Sequence, residues 1–338
     1  MATDPAADRP PTIRTVAARA GVSKSLVSLV LQNSPHVSEE KRQAVLKAVA
    51  ELGYRPDPVA RSLAQRRTRT IGVVIDDLSN PWYVELLDGL RPVLHDRGLR
   101  PLLADGRTER DAVQALADLR VDGLVLVGTP SSSAADQVDA LGNQIPTVVA
   151  GTREPRLSAV DLVANDDYHG AQLATRHLLE LEHRRIAHVV GEGEVGRLRR
   201  AGYEAVIAAA GLEPRCVPGD WTQTTGHRVA AELLRSSHRP TAIFAANDLS
   251  AVGVLGAADG LGLRVPEDLS VVGYDDTWFA RLHRLSLTTI NGHIAEVGQV
   301  AGRTLIARID GDGGTAGVRL LFPALVERSS TGPPAPAN

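Results

Sequence analysis

The sequence predicts an α/β protein in which a small all-helical head precedes a larger body built on parallel sheets. Three observations support this fold class. Residues 12–54 show three short helical patterns separated by Gly, Ser and Pro; from Ile71 onward, apolar runs of strand length alternate with amphipathic helical stretches; and positive charge is concentrated in the head. Continuous Val, Ile and Leu strands between helices are typical of parallel sheets covered on both faces. A chain of 338 residues is long enough for about two or three domains.

The distribution of charge separates the head from the body. Residues 9–69 contain twelve basic and four acidic residues, a local charge of +8, whereas the whole chain has a net charge of −3. A small basic module on a larger acidic body favours binding of the head to a polyanion. A basic, solvated surface would give the same counts, so the charge alone leaves both interpretations open.

The composition limits the classes of protein and of site. Cys216 is the only cysteine, which excludes an intrachain disulfide and a cysteine-based metal cluster and favours a reducing, cytoplasmic location. The N-terminal stretch MATDPAADRPP lacks the apolar segment of a signal peptide. No run reaches the roughly 18 consecutive apolar residues of a membrane helix. We expect no cofactor and no metal ion.

Residues 15–31 have the spacing of a helix-turn-helix. Ala17 is small enough for two helices to approach closely, Gly21 suits a turn conformation that a Cβ would penalise, and Val27 can pack back onto the first helix. Ser23 is the expected N-cap of the second helix. This spacing predicts two helices joined by a tight turn, the arrangement of a DNA-binding motif.

The second helix divides into two faces when successive residues are turned by about 100°. Its apolar face consists of Leu26, Val27, Val30 and Leu31. Its polar face consists of Lys24, Ser25, Ser28 and Gln32, with Leu29 at the edge. Such a helix packs its apolar face against the rest of the head and leaves its polar face exposed, as a major-groove helix does. An ordinary amphipathic surface helix is the alternative.

A third helix is expected to begin after Ser38, its predicted N-cap, and to bury one apolar stripe. The stripe consists of Val45, Leu46, Val49 and Leu52. The basic, Pro-punctuated stretch from Tyr54 to Thr70 follows as a connector to the body.

Strands and helices alternate along the body. Strands are expected at 71–75, 101–104, 123–128, 146–151, 160–164, 186–190, 241–246 and 270–274. Helices are expected near 82–97, 109–120, 168–182, 197–210, 225–236 and 249–262. Six strands are followed by polar loops: IDDLSNPW, ADGR, ANDD, GEGE, AAND and GYDD. Because open parallel sheets bind ligands at the carboxyl ends of their strands, these loops predict a polar ligand between two sheets. Any one of them is also explained by the turn and cap preferences of Asp, Asn and Gly.

Head and body together resemble the LacI/GalR family of transcription factors. The likeness runs from TIRTVAARAGVSKSLVSLVLQNSPHVSEEKRQAVLKAVAELGYRPDPVARSL through IGVVIDDLSNPW and RPTAIFAANDLSAVGVLGAADGLGLRVPEDLSVVGYDD to LSLTTI. It implies a helix-turn-helix domain at 12–55, a hinge helix and linker at 56–70, and an effector-binding and dimerisation core at 71–331. Residues 1–11 and 332–338 are expected to be disordered ends. The core would consist of two doubly wound, Rossmann-like lobes of the type I periplasmic-binding-protein architecture. Lobe N would comprise 71–165 with 293–320, and lobe C 166–290 with 321–331.

The resemblance assigns the DNA contacts residue by residue. Phosphate-contacting positions match Thr12, Ser23 and Ser38, with His36 and Lys41 as further candidates. Base-reading positions match Lys24, Ser25 and Leu29, and Ser28 matches a recurrent polar contact. In the hinge, Leu63 matches a leucine wedged into a minor-groove base step, and Ala60 lies beside it. Most of the family has Arg at the position of Leu29, so the side chain suited to bidentate reading of a guanine is missing here.

The resemblance also assigns a ligand site between the lobes. Trp82 stands where the family usually has a pocket-lining Phe, and Trp221 matches a residue that stacks on the ligand ring. Arg199 matches an Arg that grips hydroxyls or carboxylates. Asp275 and Asn247 match polar lining residues, and the weaker candidates are Asp77 and Asp105. Two indoles with fixed polar ends suit a sugar or a nucleoside. Core packing of either Trp, and pairing of Arg199 with an acid, are the alternatives.

The implied function is that of a transcriptional repressor that binds a near-palindromic DNA operator as a homodimer and is controlled by a small ligand. Whether the ligand releases the protein from DNA or promotes binding stays open. The alternative is a solute-binding protein that serves transport, which the core alone would permit.

An enzyme is not expected, because the phosphate-loop, dinucleotide-binding and zinc-protease motifs are missing from the sequence. The Gly-rich stretch GEGEVG at 191–196 follows a strand but lacks the lysine of a phosphate loop. The histidines His169, His177, His183 and His188 show no metal-ligand spacing and are expected on the surface or in packing.

Overall fold

The computed structural model describes residues 11–31, 33–54, 67–75, 77–106, 112–128, 140, 142–151 and 158–336. These residues belong to two compact units, one that ends at Thr68 and one that begins at Arg69. The predicted hinge residues Ala60 and Leu63 lie outside the described residues, as does Gln32. None of the described helices combines the length and the apolar character that crossing a membrane requires.

Three helices form the head, as the sequence predicts. They are α1 (Ile13–Ala20), α2 (Lys24–Leu31) and α3 (Glu39–Leu52). Helix α1 begins after Thr12, whose hydroxyl accepts a hydrogen bond from the Thr15 N–H, and ends at Gly21, which has a φ of 66°. Ser23 caps α2, because its Oγ accepts a hydrogen bond from the Leu26 N–H at 3.2 Å. The caps and the turn confirm the predicted helix-turn-helix.

The three helices share one small apolar core. Its buried members are Val16, Ala17, Val27, Val30, Val37, Val45 and Ala48. The stripe predicted for α3 is wrong at Leu46, which is 44% exposed. The buried face of α3 passes through Val45 and Ala48, and a residue next to Val45 is turned about 100° away from that face.

The first sheet of the body contains strands that are distant in the chain. Its strands are β1 (Thr70–Ile75), β2 (Arg100–Asp105), β3 (Gly123–Val127), β4 (Thr147–Ala150), β5 (Asp161–Asn165) and β11 (Val318–Leu321). They lie in the order β11-β5-β4-β3-β1-β2, and all pairs are parallel. Helices α4 (Pro81–Asp96) and α10 (Ile294–Asp310) pack on one face, and α5 (Ala112–Asp118) packs on the other.

The second sheet is also parallel and lies between helices. Its strands are β6 (Ile186–Val190), β7 (Arg215–Pro218), β8 (Ala242–Phe244) and β9 (Ser270–Val272), in the order β7-β6-β8-β9. Helices α6 (Asp167–Glu180) and α7 (Gly193–Ala209) cover one face, and α8 (Gln223–Arg235) and α9 (Asp248–Gly260) cover the other. A separate antiparallel pair joins β10 (Thr289–Asn291) to β12 (Ala324–Val326).

The chain passes between the two sheets after β5, between β10 and α10, and between β11 and β12. The two sheets with helices on both faces confirm the predicted fold class. We retain the residue limits of the domains and lobes as a proposal.

The C-terminal segment is more ordered than the sequence predicts. A disordered tail was expected from Gly332, but the Gly332 carbonyl accepts a hydrogen bond from the Ser270 hydroxyl at 2.9 Å and lies 2.9 Å from His183 Nε2. The Gly332 N–H donates to Ser270 Oγ at 3.0 Å. These bonds hold the Gly332 backbone against Ser270, the first residue of β9, so the expectation of disorder is wrong at Gly332. Residues 337–338 lie outside the described part of the chain.

Candidate functional site

The side chains predicted to read bases lie on the outer face of α2. Lys24, Ser25 and Leu29 are exposed, and Ser28 is half-buried. The opposite face is closed by buried Val27 and Val30. Helix α2 therefore has the divided surface that docking into a major groove requires. Contact of these residues with bases stays a prediction.

The main residues predicted to contact phosphates lie at helix N-termini. Thr12, Ser23 and Ser38 directly precede α1, α2 and α3, and all three are exposed. The N–H groups and the positive end of the helix dipole favour phosphate oxygens at such positions. His36 and Lys41 are also exposed, one on each side of Ser38 in the sequence.

Sequence reasoning missed a supporting role for Arg42. Its Nη1 donates to Asn33 Oδ1 at 3.0 Å, and its Nη2 donates to the Ser34 carbonyl at 2.6 Å. These bonds attach the loop after α2 to α3 and so fix the segment that carries His36. A basic residue near the start of a helix gives no sequence signal for such a role.

A cleft opens between the two sheets of the body at the carboxyl ends of their strands. Its volume is about 560 Å³ when the space open to solvent is included. From the first sheet and α4 it is lined by Asn80, Trp82, Tyr83, Gly128, Gly151 and Asn165. From the second sheet and its helices it is lined by Asp167, Glu192, Val195, Arg199, Trp221, Asn247 and Asp275.

Most of the predicted ligand residues meet in this cleft. Those brought together are Trp82, Arg199, Trp221, Asn247 and Asp275. Asp77 and Asp105 are not among the residues that line it. Asp77 instead accepts a hydrogen bond from the Ser79 N–H at 2.9 Å in the loop before α4, and Asp105 ends β2. The ligand contacts themselves stay a prediction.

Both indoles lie against glycines at strand ends. A Cβ on Gly151, just after β4, would clash with the ring of Trp82, and a Cβ on Gly191, just after β6, would clash with the ring of Trp221. The missing side chains leave room for each ring against the backbone. Gly191 belongs to the Gly-rich stretch at 191–196. The packing of Trp221 against its backbone is sufficient to explain why a glycine stands at this position.

Arg199 is a strongly restrained side chain of the cleft. It is 4% exposed. Its Nε donates to Asp167 Oδ1 at 3.1 Å, its Nη1 donates to the Ala246 carbonyl at 2.6 Å, and its Nη2 donates to Asp275 Oδ1 at 3.4 Å. The guanidinium carbon lies 3.4 Å from the centre of the Tyr274 ring and 5.4 Å from that of Trp221. The guanidinium is thus held by hydrogen bonds and by cation–π contact.

Buried carboxyl groups lie beside and behind Arg199. Burial raises the pKa of Asp275 well above its usual range, although Arg199 opposes the shift. Burial also raises the pKa of Asp248 to about 7, against hydrogen bonds from Thr289 and Thr277. Asp275 has a φ of 114°, which is strained for a residue with a side chain. The fold thus holds Asp275 at the cleft in a costly backbone conformation.

Asn247 is both a helix cap and a lining residue. Its Oδ1 accepts a hydrogen bond from the Ser250 N–H at 2.9 Å, which starts α9. Its side-chain NH₂ is therefore the group that it can offer to a ligand.

The two lobes also meet beside the cleft. Trp278 follows Asp275 by three residues, and its backbone N–H donates to Glu85 Oε1 on α4 at 2.7 Å. Burial raises the pKa of Glu85, while the hydrogen bond from Trp278 opposes the shift. This bond joins helix α4, which packs on the first sheet, to the loop that follows β9 of the second sheet.

The histidines singled out in the sequence have structural roles. His188 is fully buried, stacks on Phe244 at 4.4 Å, and lies with Nδ1 3.0 Å from the Phe244 carbonyl. His177 and His183 contact Thr331 and Gly332 of the C-terminal segment. His169 lies 6.4 Å from the Phe322 ring in an edge contact. In the part of the chain that the structure describes, no group of three or more His, Cys, Asp or Glu side chains could hold a metal ion.

Sequence reasoning did not single out several lining residues. These are Asn80, Tyr83, Gly128, Gly151, Asn165, Asp167, Glu192 and Val195. Asn80, Asn165, Asp167 and Glu192 lie in the polar strand-end loops, so the loops were found although these residues were not. Of the remaining four, Val195 lies in the Gly-rich stretch at 191–196, whereas Tyr83, Gly128 and Gly151 carry no distinctive sequence signal.

Comparisons with known proteins agree with this arrangement. Residues 12–57 match the model of the "Bacterial regulatory proteins, lacI family", and residues 175–331 match the "Periplasmic binding protein-like domain". The chain is 34% identical over 328 residues to the HTH-type transcriptional repressor PurR of Erwinia tasmaniensis, covering 94% of this chain and 96% of that protein.

Solved structures give the same result. A Lac repressor dimer bound to operator and the anti-inducer ONPF matches with a TM-score of 0.87 and 30% identity, over 96% of this chain and 100% of that one. The transcriptional regulator CelR in complex with cellobiose matches with a TM-score of 0.71 and 33% identity, over 95% of this chain and 99% of that one. With its helix-turn-helix head and two-sheet core, the chain belongs to the LacI family of bacterial regulatory proteins.

Proposed function

We propose that this protein is a sequence-specific DNA-binding repressor that acts as a homodimer in the cytoplasm and is controlled by a small molecule bound in the cleft. The observation that carries the proposal is the joining, in one chain, of a helix-turn-helix head to a core with a ligand-sized cleft. Relatives over nearly the whole length are repressors. They do not support the alternative of a transport protein, and a regulatory role requires no enzymatic activity.

The head supplies two kinds of DNA contact in this proposal. Thr12, Ser23 and Ser38, with His36 and Lys41, hold phosphates and so set the register of the head on the duplex. Lys24, Ser25, Ser28 and Leu29 on α2 face the base edges of the major groove. Ala60 and Leu63, outside the described residues, open a minor-groove step between the two half-sites.

The cleft supplies the control. Trp82 and Trp221 offer aromatic faces to a ring, while Arg199, Asn247 and Asp275 offer polar groups, a combination that suits a sugar or a nucleoside. A ligand that binds one lobe arrangement better than the other shifts the equilibrium between them. Through the hinges it thereby changes operator affinity, as an inducer or as a corepressor.

The experiment measures operator binding. Sites selected from random DNA are bound to the full chain, and binding is repeated with a library of sugars and nucleosides. We expect a near-palindromic consensus and at least one compound that changes the affinity. Leu63→Ala should lower affinity for the selected site more than for random DNA. Unchanged specific affinity in this variant would contradict the proposed minor-groove contact, and a failure to select any site would contradict the repressor.

A further inference from the structure

The positive charge of Arg199 is already balanced inside the protein. Three of its N–H groups are donated to Asp167, Asp275 and the Ala246 carbonyl, and its side chain is almost completely buried. A guanidinium that binds an anionic ligand needs its hydrogen-bonding edge and its charge available to that ligand. Here Nε and Nη2 of Arg199 already donate to the carboxyl groups of Asp167 and Asp275.

Asp167 is held in place as firmly as Arg199. It is 1% exposed, and its Oδ1 accepts from Arg199 Nε and from Asn165 Nδ2 at 2.9 Å. Asn165 Nδ2 also donates to the Tyr274 hydroxyl at 3.2 Å, and the Tyr274 ring stacks on Arg199. The four side chains form a closed network, so Asp167 cannot swing away from Arg199 without breaking hydrogen bonds on two sides.

An anionic ligand would meet this network at a disadvantage. To reach the guanidinium it must displace Asp167, which would leave a buried carboxylate unpaired, or Asp275, which would leave a buried carboxyl group without its partner. If it displaces neither, it brings a charge into a cleft where Arg199, the buried cation among the described lining residues, is already paired. Glu192 at the exposed side of the cleft adds a further negative charge.

A neutral ligand has no such disadvantage. Its hydroxyl or N–H groups can donate to carboxyl oxygens that line the cleft, and its ring can stack on an indole.

We propose that Asp167 is a specificity-determining residue that neutralises Arg199 and thereby restricts the effector to uncharged molecules, excluding phosphorylated and carboxylated ones. This inference rests on the proposed function, because it assumes that the effector binds in the cleft. It sharpens the expectation for Arg199, which binds carboxyl groups of the chain rather than those of a ligand.

The test uses the full chain and inorganic phosphate as the probe. Binding is measured by isothermal titration calorimetry at constant ionic strength for wild type, Asp167→Asn and the double variant Asp167→Asn/Asp275→Asn. Asn is the same size as Asp, and its Oδ1 can accept the two hydrogen bonds that Asp167 Oδ1 accepts from Asn165 and Arg199. Asp167→Asn therefore removes the charge and keeps these two bonds. We expect no saturable binding to wild type, binding to Asp167→Asn, and binding at least as tight in the double variant.

Asp166→Asn is the matched control. Asp166 is the neighbour of Asp167, and its carboxylate caps α6 through the His169 N–H at 3.0 Å, a bond that Asn can also accept. This variant changes the net charge by the same amount without touching Arg199, so it should bind phosphate no better than wild type.

Each outcome decides the proposal. Phosphate binding to wild type as tight as to the variants would overturn it, and so would folded variants that bind no phosphate, with folding checked by thermal unfolding. If the double variant does not fold, Asp167→Asn decides by itself. Operator selection on wild type is scored separately. If wild type excludes phosphate but selects no operator, only the proposal that the protein is a repressor is contradicted. If wild type selects an operator and also binds phosphate, only the proposed exclusion of anions is contradicted.

Discussion

Leu29 is the apolar member of the four residues on α2 that are predicted to face base edges. It is 40% exposed on the outer face of α2, where a leucine offers only apolar contact, for example to a thymine methyl. We expect Leu29→Arg to introduce a guanine preference at one base pair of each half-site, measured by binding-site selection. A bidentate contact of this kind is worth about 1–3 kcal/mol of discrimination.

The control for this substitution is Leu46→Arg. Leu46 is 44% exposed on α3, so the variant adds the same charge to the head at a leucine of similar exposure. It should strengthen binding to all sequences without changing the consensus. Identical consensus sequences for wild type and Leu29→Arg would show that residue 29 does not read bases.

His188 makes folding stability depend on pH. Burial lowers its pKa from the usual 6.5 to about 4. Between pH 6.5 and 4 the unfolded state binds a proton that the folded state disfavours. The free energy of unfolding is therefore at its full value above pH 6.5 and falls as the pH drops from there toward 4. The loss at pH 5 should be about 2 kcal/mol of unfolding free energy from this residue.

Urea denaturation of wild type and His188→Asn, at about pH 7.5 and about pH 5, checks this expectation. The variant should be less stable at the higher pH but should lose less on acidification. His177 and His183, whose pKa values burial also lowers, keep part of the dependence. Equal losses in wild type and His188→Asn would contradict the assignment.

At the scale of elements, the end of β6 depends on a residue without a side chain. Gly191→Ala places a Cβ against the ring of Trp221, and overpacking of this kind costs about 1–3 kcal/mol. We expect a lower unfolding free energy and weaker binding of any compound that stacks on Trp221. Both can be followed by urea denaturation and by calorimetry.

Gly260→Ala is the comparison. Gly260 ends α9 with open space around its Cα, and Ala is favoured over Gly in a helix by up to about 1 kcal/mol. This variant should be as stable as wild type or more stable. A Gly191→Ala protein with wild-type stability and ligand binding would show that the ring does not need the glycine.

The elements also show what sequence patterns can and cannot reveal. Strands β1, β3 and β6 are rich in Val, Ile and Leu, and their bounds were predicted closely. Strands β10 and β12 have three residues each and were not predicted. Strands β8 and β9 are equally short but lie within the longer apolar runs TAIFAA and SVVGY, which made them visible. Helix α10 was missed although Val297, Ala301 and Leu305, spaced by four, are buried on one side, so its pattern was available.

Within the site, the sequence could indicate loops and residue types but not pairings. Trp82, Trp221 and Asp275 were identified by the resemblance, and the structure places them in one cleft. The bond between Asp167 and Arg199 joins residues from two helices, and no local pattern specifies it. Likewise, the order of the C-terminal segment depends on His183 and Ser270, which are far from it in the chain.

At the scale of the whole core, the Glu85–Trp278 hydrogen bond joins the two lobes. Glu85→Ala removes the acceptor, so we expect faster hydrogen exchange of the Trp278 amide and a loss of about 1 kcal/mol in stability. Hydrogen exchange read by mass spectrometry on peptides that cover 276–282 measures it. Asp88→Ala, one turn further along α4 at an exposed ion pair with Arg91, should leave those peptides unchanged. Unchanged exchange in Glu85→Ala would contradict a role for the bond in holding the lobes.

The interleaving of the chain between the two sheets has a consequence for synthesis. Leu320 of β11 pairs with Ala164 of β5, and all four strands of the second sheet lie between them in the sequence. As the chain leaves the ribosome, the second sheet can therefore pair completely while the first still exposes the edge of β5. Unpaired edges of this kind invite association with other chains. Nascent chains stalled before Val318 should thus be the species that most needs a chaperone.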